Sequence, residues 1–216
     1  HHAGLVVCVA CTKDLVFTGS LDTSIAAWNL DQIHKGILQP YSTFLGHSAP
    51  VKQVSVSHSY QLLASLSNSG SILLHDIRTT ECFRKLSSGN ILPDQVAFSE
   101  FGVVIADKVG VIEVFSVNGD LIRQEKRFSG FEITCMHFDK SQEKLVIGGD
   151  RGFVCTKIFQ EEEPFYLETG VTVKDIVASP NEEFLVAPVD SQKVLLIESL
   201  SRAQKETIAS YIDFMK

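Results

Sequence analysis

The 216-residue sequence lacks long hydrophobic runs, clusters of basic residues and paired cysteines, and each absence excludes a class of protein. Its longest uncharged apolar stretch, Leu5–Cys11, is far shorter than the roughly 18–20 residues that a membrane-spanning helix needs. Nineteen Lys and Arg residues against 26 Asp and Glu residues leave a net charge of −7, with no basic patch to offset it. We therefore expect no nucleic acid partner and no direct membrane insertion.

The five cysteines stand singly in apolar, strand-like segments, which is typical of a reducing compartment such as the cytoplasm. Cys8 and Cys11 have the spacing of a metal-binding pair, but no second pair follows. Residues three apart on a strand also point to opposite faces of the sheet. We expect no metal site and no cofactor.

The short motifs that mark common catalytic sites are missing too. The sequence contains no Gly-x-Ser-x-Gly, no Gly-x4-Gly-Lys-Ser/Thr and no His-Glu-x2-His, so we do not expect an enzyme. The glycine-rich segment 148–152 could be a phosphate-binding loop or a turn between strands. Because no helix is predicted to follow it, the turn is favoured.

What the sequence does contain is an internal period of about 40 residues. Apolar strand-like segments are centred on Trp28, His75, Phe115, Lys157 and Ile197, at intervals of 47, 40, 42 and 40 positions. Two further apolar runs precede each segment, separated by turns rich in Gly, Asp, Asn and Ser. Three or four strands every ~40 residues is the period of a β-propeller blade. The predicted core strand residues are Val7, Ile25, Trp28, Val54, Ile72, Leu74, Val114 and Ile197.

The first two units carry a recognisable motif. The first reads His2-x3-Val6, then Thr18-Gly-Ser-x-Asp22, then Trp28-Asn, and the second reads Gly46-His47, then Ser65-x-Ser-x-Ser-Gly-Ser-Ile, then His75-Asp. These units resemble WD40 repeats, whose pattern runs from Gly-His through Ser-x-Asp-Gly-Thr to Trp-Asp. The resemblance implies a hydrogen-bonded tetrad within a blade, complete only in blade one because Ser69 and His75 replace the Asp and the Trp in blade two. The tetrad residues that it implies are His2, Thr18 or Ser20, Asp22 and Trp28 in blade one, and His47 and Ser65 in blade two.

The resemblance implies an all-β, WD40-type β-propeller. About five blades are visible, at about residues 1–44, 45–89, 90–128, 129–169 and 170–200. Since WD40 propellers usually close with seven blades, we expect the chain to be part of a seven-bladed propeller. Residues 201–216 are predicted to form a short C-terminal helix or a frayed tail, because Ile208, Tyr211, Ile212 and Met215 share one helical face.

A narrower resemblance follows from the order of the degenerate repeats. His75 takes the Trp position of the second repeat, Glu81–Leu86 follows it, and the third repeat ends in Val117-Asn-Gly119. This order is similar to the C-terminal WD40 region of BEACH-domain proteins, the neurobeachin and lysosomal-trafficking-regulator group. It implies a non-catalytic scaffold for other proteins in membrane or vesicle trafficking, held on membranes peripherally through partners, with a BEACH domain upstream in the same full-length chain.

Two alternatives remain beside this interpretation. A WD40 adaptor in signalling or ubiquitin-ligase assembly would have the same fold and a different partner. An enzyme would need a catalytic role for the His2–Asp22 pair, which the structural tetrad already explains.

The last expectation concerns where partners bind. In WD40 propellers, the turn between the second and third strands and the loop before the first strand open onto one face, and binding residues concentrate on such loops. The predicted partner face comprises Leu21, Asn68, Lys108, Asp150 and Asp190, extended by Phe44. Leu21 and Phe44 could instead pack on neighbouring blades, and the sequence leaves both possibilities open.

Overall fold

The computed structural model describes the chain except for residues 90, 127–129, 140–143, 158–164, 169, 171, 179–183, 189–192, 199–209 and 214–216. The described residues form five antiparallel sheets of four strands each. We call these sheets blades one to five. In every blade, strands that follow one another along the chain are neighbours in the sheet, so each blade is a simple meander. The all-β fold class and the repeat of about 40 residues are confirmed.

The strands are numbered in chain order. Blade one contains β1 (Val6–Cys11), β2 (Leu15–Ser20), β3 (Ile25–Asn29) and β4 (Ser42–Phe44), with a short helix, α1 (Leu30–His34), between β3 and β4. Blade two contains β5 (Val51–Ser57), β6 (Leu62–Ser67), β7 (Ile72–Asp76) and β8 (Cys82–Leu86). Blade three contains β9 (Gln95–Ser99), β10 (Gly102–Ala106), β11 (Val111–Phe115) and β12 (Leu121–Lys126). Blade four contains β13 (Ile133–Asp139), β14 (Lys144–Gly149), β15 (Gly152–Lys157) and β16 (Phe165–Glu168). Blade five contains β17 (Val177–Ala178), β18 (Phe184–Pro188), β19 (Lys193–Glu198) and β20 (Ser210–Asp213).

The C-terminal helix prediction is wrong at residues 210–213. These residues form β20, which pairs antiparallel with β19 in a register that places Leu196 opposite Ser210 and Lys193 opposite Asp213. The reason is that the free edge of β19 offers backbone hydrogen bonds that a short strand can satisfy. Blade five therefore extends past the predicted limit at residue 200, while residues 201–209 and 214–216 lie outside the described part of the chain.

Burial explains why the strands form where they do. In blade two every residue of β6 is buried, whereas β8 is exposed except at Leu86. The apolar runs thus build the middle strands, and the fourth strand is held mainly by backbone pairing with β7. The chain turns between β6 and β7 at Asn68–Gly70, where Gly70 adopts a φ of 79°. A glycine adopts this left-handed conformation without the steric cost that a side chain would add.

One compact unit comprises residues 1–107 and 112–125, and its core lies between adjacent sheets. Phe17, Ile25 and Phe44 of blade one pack with Val54 and Leu63 of blade two. A second cluster joins the buried side chains of blades two and three, namely Leu62, Ala64, Leu66, Ile72, Leu74, Leu86, Val96, Phe98, Val103, Ile105 and Phe115. Within this unit, apolar burial therefore stabilises blade two against blade one and against blade three.

Most of the predicted core strand residues are buried, namely Ile25, Val54, Ile72, Leu74 and Val114. The prediction that Val7 belongs to the core is wrong, because its side chain is 47% exposed. Cys8 and Ala10 are the β1 residues that pack on the cluster, and alternation along a strand turns Val7 to the opposite face. Trp28 is half-buried, and the side chain of Ile197 lies outside the described part of the structure.

Polar side chains also join blades two and three. The amide of Val96 donates to Gln53 Oε1 at 2.9 Å, and the amide of Phe98 donates to Ser55 Oγ at 3.1 Å. These amides belong to β9, an edge strand of its sheet, so side chains of β5 supply the hydrogen-bond acceptors there.

The other compact unit comprises residues 108–111 and 126–216 and contains blades four and five. Its two sheets meet where the amide of Val173 donates to the carbonyl of Gly149 at 2.9 Å. A Cβ atom on Gly148 would lie 2.5 Å from Cys135 Sγ and 2.7 Å from Val173 Cγ1. Only glycine allows the chains to approach this closely.

Candidate interaction site

Blade one contains a hydrogen-bonded cluster of four side chains from three separate segments. His2 Nδ1 lies 3.2 Å from Asp22 Oδ2, and His2 Nε2 lies 2.9 Å from Thr18 Oγ1. The indole Nε1–H of Trp28 donates to the same Thr18 oxygen at 2.8 Å. Thr18 therefore supplies the hydroxyl of this cluster. Ser20 instead accepts the backbone amide of Asp22 at 3.1 Å and so stabilises the turn.

Thr18 Oγ1 lies at the centre of this cluster. It accepts from the indole N–H of Trp28 and lies 3.3 Å from the carbonyl oxygen of Ala26. Because the charged carboxylate of Asp22 can only accept, the proton of the neutral His2 ring lies on Nδ1, and Nε2 accepts from the Thr18 hydroxyl. The contacts of Thr18 therefore connect β2 to β3 and to the N-terminal segment.

Asp22 ties the N-terminal segment to the turn between β2 and β3. Burial raises its pKa, but hydrogen bonds from Ser24 and from the amides of Ala3 and Gly4 outweigh that effect and hold the pKa well below the ordinary 3.8. The carboxylate therefore stays charged and accepts these donors across the physiological pH range.

Blade two keeps half of this arrangement. His47 Nε2 bonds to Ser65 Oγ at 2.8 Å, which matches the contact between His2 and Thr18 in blade one. Ser69 stands where blade one has Asp22, and its hydroxyl bonds to Ser67 at 2.9 Å instead of reaching the histidine. His75 stands where blade one has Trp28, and its Nε2 bonds to the carbonyl of Leu45 at 3.0 Å.

In both blades the turn between the second and third strands lies against the segment that precedes the first strand. The amide of Leu21 donates to the carbonyl of Leu5 at 2.9 Å, and the amide of Asn68 donates to the carbonyl of Pro50 at 2.9 Å. Gly70 continues this contact toward blade three, because a Cβ atom there would lie 2.8 Å from Leu92 Cδ1. We call the end of the sheets formed by Leu5, Leu21, Leu45, Asn68 and Leu92 the turn edge.

Leu21, from the predicted partner face, is 41% exposed, and Asn68 is exposed as well. The prediction that Phe44 extends the partner face is wrong, because its side chain is only 1% exposed and cannot contact a partner. Its ring packs between Phe17, with centroids 6.0 Å apart, and His75, with centroids 5.6 Å apart. The next residue, Leu45, is exposed instead.

Sequence reasoning missed Leu5 and Leu92, which are also exposed at the turn edge. Leu5 lies at the start of the apolar stretch Leu5–Cys11, whereas β1 begins at Val6. Both leucines come just before the first strand of a blade, and that position is the signal that could have found them. Together with Leu21 and Leu45 they give the turn edge four exposed leucines.

The remaining residues of the predicted partner face belong to the second unit. Lys108 Nζ lies 3.8 Å from Glu132 Oε1, and both side chains are exposed. Asp150 Oδ1 accepts the amide of Glu132 at 3.1 Å. Asp190 lies outside the described residues. Lys108 and Glu132 thus form an ion pair, whereas Asp150 holds the backbone of Glu132.

No cluster in the described part of the chain brings together three His, Cys, Asp or Glu side chains able to hold a metal ion. Burial raises the pKa of Cys8 to about 11 and the pKa of Cys135 to about 12, so neither thiol is activated at neutral pH. Among the described residues, no helix is long and apolar enough to cross a bilayer.

Comparison with known proteins agrees with this geometry. The family model described as "WD domain, G-beta repeat" matches residues 38–76, which include β4, the Gly46-His47 pair and β5 to β7. No curated protein matches the chain. The repeat match and the four-stranded antiparallel sheets together identify the fold class as a WD40-type β-propeller. WD40 domains are generally non-catalytic modules that bind other proteins.

Proposed function

We propose that this chain is a protein-interaction scaffold whose partners bind at the turn edge. The observation that carries the proposal is the group of exposed leucines Leu5, Leu21, Leu45 and Leu92 on turns and loops of rigid sheets. Exposed apolar side chains gathered at one end of a structure favour a binding surface. The net charge of −7 favours protein partners over anionic lipid.

We further propose that the scaffold is the WD40 module of a BEACH-type protein in membrane or vesicle trafficking. Support comes from the sequence order in which His75 replaces the motif Trp and the third repeat ends in Val117-Asn-Gly119. In this proposal a BEACH domain precedes the module in the full-length chain. The protein acts in the cytoplasm and reaches membranes through its partners.

The test is the double substitution of Leu21 with Glu and Asn68 with Arg. Both positions are exposed, so we expect a change in unfolding free energy within about 0.5 kcal/mol, as for other surface substitutions. Partner capture should be lost. The matched control is Leu38→Glu with Ser59→Arg, which introduces the same two side chains at exposed positions outside the turn edge.

Affinity capture followed by mass spectrometry measures partner binding, and thermal melting measures stability. Capture of trafficking proteins by the wild type and the control, but not by the double variant, supports both proposals. A lower melting temperature with capture intact would mean that Leu21 and Asn68 only pack. Capture of ubiquitin-ligase subunits would contradict the trafficking assignment alone.

A further inference from the structure

Blade two buries two imidazole rings, and no acidic side chain in the described part of the chain pairs with either of them. His47 is 9% exposed and His75 is 0% exposed. The Nδ1 atom of each ring is buried and makes no hydrogen bond. A buried polar atom without a partner is uncommon and calls for an explanation.

The other ring nitrogens define the tautomers. A carbonyl can only accept, so His75 Nε2 carries the proton that bonds to Leu45 O. His47 Nδ1 is buried and offers its proton no acceptor, so the ring proton belongs on Nε2, which donates to Ser65 Oγ at 2.8 Å. Both Nδ1 atoms therefore carry a free lone pair and no proton. This assignment rests on the hydrogen-bond partners and not on observed hydrogen atoms. A second proton on either ring would point at no acceptor.

Blade one treats its equivalent histidine differently. His2 Nδ1 faces the Asp22 carboxylate, which would compensate a positive ring. In blade two the corresponding hydroxyl of Ser69 is turned to Ser67, so His47 lacks that carboxylate. At this position of the shared strand arrangement, blade one has a carboxylate and blade two has a hydroxyl.

The two groups whose charge lowers the pKa of His47 are both bases, namely His75 and Lys85. Burial, followed by the neighbouring His75 and then by Lys85, outweighs the Ser65 hydrogen bond and lowers the pKa of His47 from 6.5 to about 4. Burial also lowers the pKa of His75, against a smaller opposing effect of its bond to Leu45. The ring of His75 otherwise faces Phe44. Protonation of either ring therefore disfavours the folded arrangement.

We propose that His47 and His75 form a proton-sensitive latch, whose protonation in mild acid releases the loop at residues 45–50 from β7. His47 belongs to this loop, and the bond from His75 to Leu45 O fastens the loop to β7. When the loop opens, both rings reach water and regain ordinary basicity. The open form then binds more protons than the closed form between about pH 6.5 and pH 4, so closure weakens as the pH falls through that window.

Hydrogen exchange measured by mass spectrometry tests the latch without any partner. Protection factors, corrected for intrinsic exchange rates, are compared at pH 7.5 and pH 5.0. We expect protection of residues 45–57 and 71–77 to fall at least about tenfold, as the folded and unfolded pKa values of His47 imply. Protection of residues 15–29 in blade one should change by less than about twofold, because Asp22 faces the histidine there.

Two variants separate the latch from general acid sensitivity. Ser69→Asp supplies the carboxylate that blade one has, and should reduce the acid effect to about threefold or less. Ser59→Asp adds the same charge at the turn between β5 and β6, and should leave the effect at its wild-type size. His75→Phe keeps an aromatic ring against Phe44 and removes one titrating group, so it should also reduce the effect.

The proposal would be overturned if protection fell by the same factor in blades one and two between pH 7.5 and pH 5.0. An acid effect of wild-type size in both Ser69→Asp and His75→Phe would also overturn it. Because Leu45 belongs to the turn edge, opening of the latch should also weaken partner capture at pH 5.0. That consequence rests on the proposed function, whereas the exchange measurement stands or fails without it.

Discussion

Substitution of Asp22 with Ala tests how much the polar cluster of blade one stabilises the fold. Asp22 accepts hydrogen bonds from the amides of Ala3 at 2.7 Å and Gly4 at 3.4 Å, and from the amide and hydroxyl of Ser24 at 2.9 and 2.6 Å. It also faces His2 Nδ1 at 3.2 Å. The substitution leaves all of these donors without their acceptor.

The size of the effect follows from the strength and exposure of these bonds. A hydrogen bond to a charged group contributes about 1.5–3 kcal/mol, but such values do not add within one cluster. The amide of Ala3 can bond to water, since that contact is exposed. We therefore expect Asp22→Ala to lower the free energy of unfolding by about 3 kcal/mol, roughly the cost of two such bonds.

The assay is urea denaturation followed by the fluorescence of Trp28, the only tryptophan in the sequence. Trp28 donates to Thr18 within the same cluster, so its signal reports on blade one. The matched control is Asp14→Ala, which removes the same charge from an exposed position. A loss for Asp22→Ala below about 0.5 kcal/mol, or one no larger than the control's, would refute the reasoning because surface changes alone reach that size.

Two further predictions concern close packing in the first unit. Gly102→Ala should destabilise the protein by about 2 kcal/mol or more, because φ is 137° and the new Cβ would lie 2.1 Å from the carbonyl oxygen of Phe115. Gly89→Ala, with no atom within 4 Å of its Cβ, is the control, and equal urea midpoints would contradict this prediction. Leu74→Ala should cost about 2–5 kcal/mol because Leu74 is fully buried. Leu38→Ala, at an exposed position, should cost far less in the same assay.

Much of the fold was predictable because the middle strands of the blades are visible in the sequence as continuous apolar runs. Runs such as Leu62–Ser67 and Gly102–Ala106 are buried along their whole length and are bounded by turn residues. The fourth strands were not predictable in the same way. Cys82–Leu86 is exposed at four of its five residues, so it carries no apolar pattern, and its pairing with β7 comes from the sheet.

Two errors show where local patterns fail. The apolar stripe that includes Tyr211 and Ile212 fits a helix, yet residues 210–213 pair with β19 because tertiary context overrides a weak local preference. Phe44 and Leu45 are consecutive apolar residues of which only one is buried. Phe44 ends β4 and faces the cluster between blades one and two, a choice of side that depends on the register with β3 and is not encoded in either residue.

The helix α1 was also missed, although it had a local signal. Asn29 caps it by accepting the amide of Gln32 at 3.0 Å, and Asp31 lies in its first turn. An Asn followed three residues later by Gln is a known start signal. The helix has only five residues, none of them buried, and is too short for hydrophobic periodicity to reveal it.

The proposed latch depends on the two positions at which blade two departs from the repeat motif. In blade one the low pKa of Asp22 means that its stabilising contribution persists until the pH falls below the ordinary carboxyl value of 3.8. In blade two the contribution of neutral His47 is lost earlier, between about pH 6.5 and pH 4, because its folded pKa lies below its unfolded one. Blade two has Ser69 and His75 where blade one has Asp22 and Trp28. We therefore expect the two sheets to lose stability in different pH ranges. The blade that departs from the motif is the one whose loop carries Leu45, so its acid sensitivity bears directly on the surface proposed to bind partners.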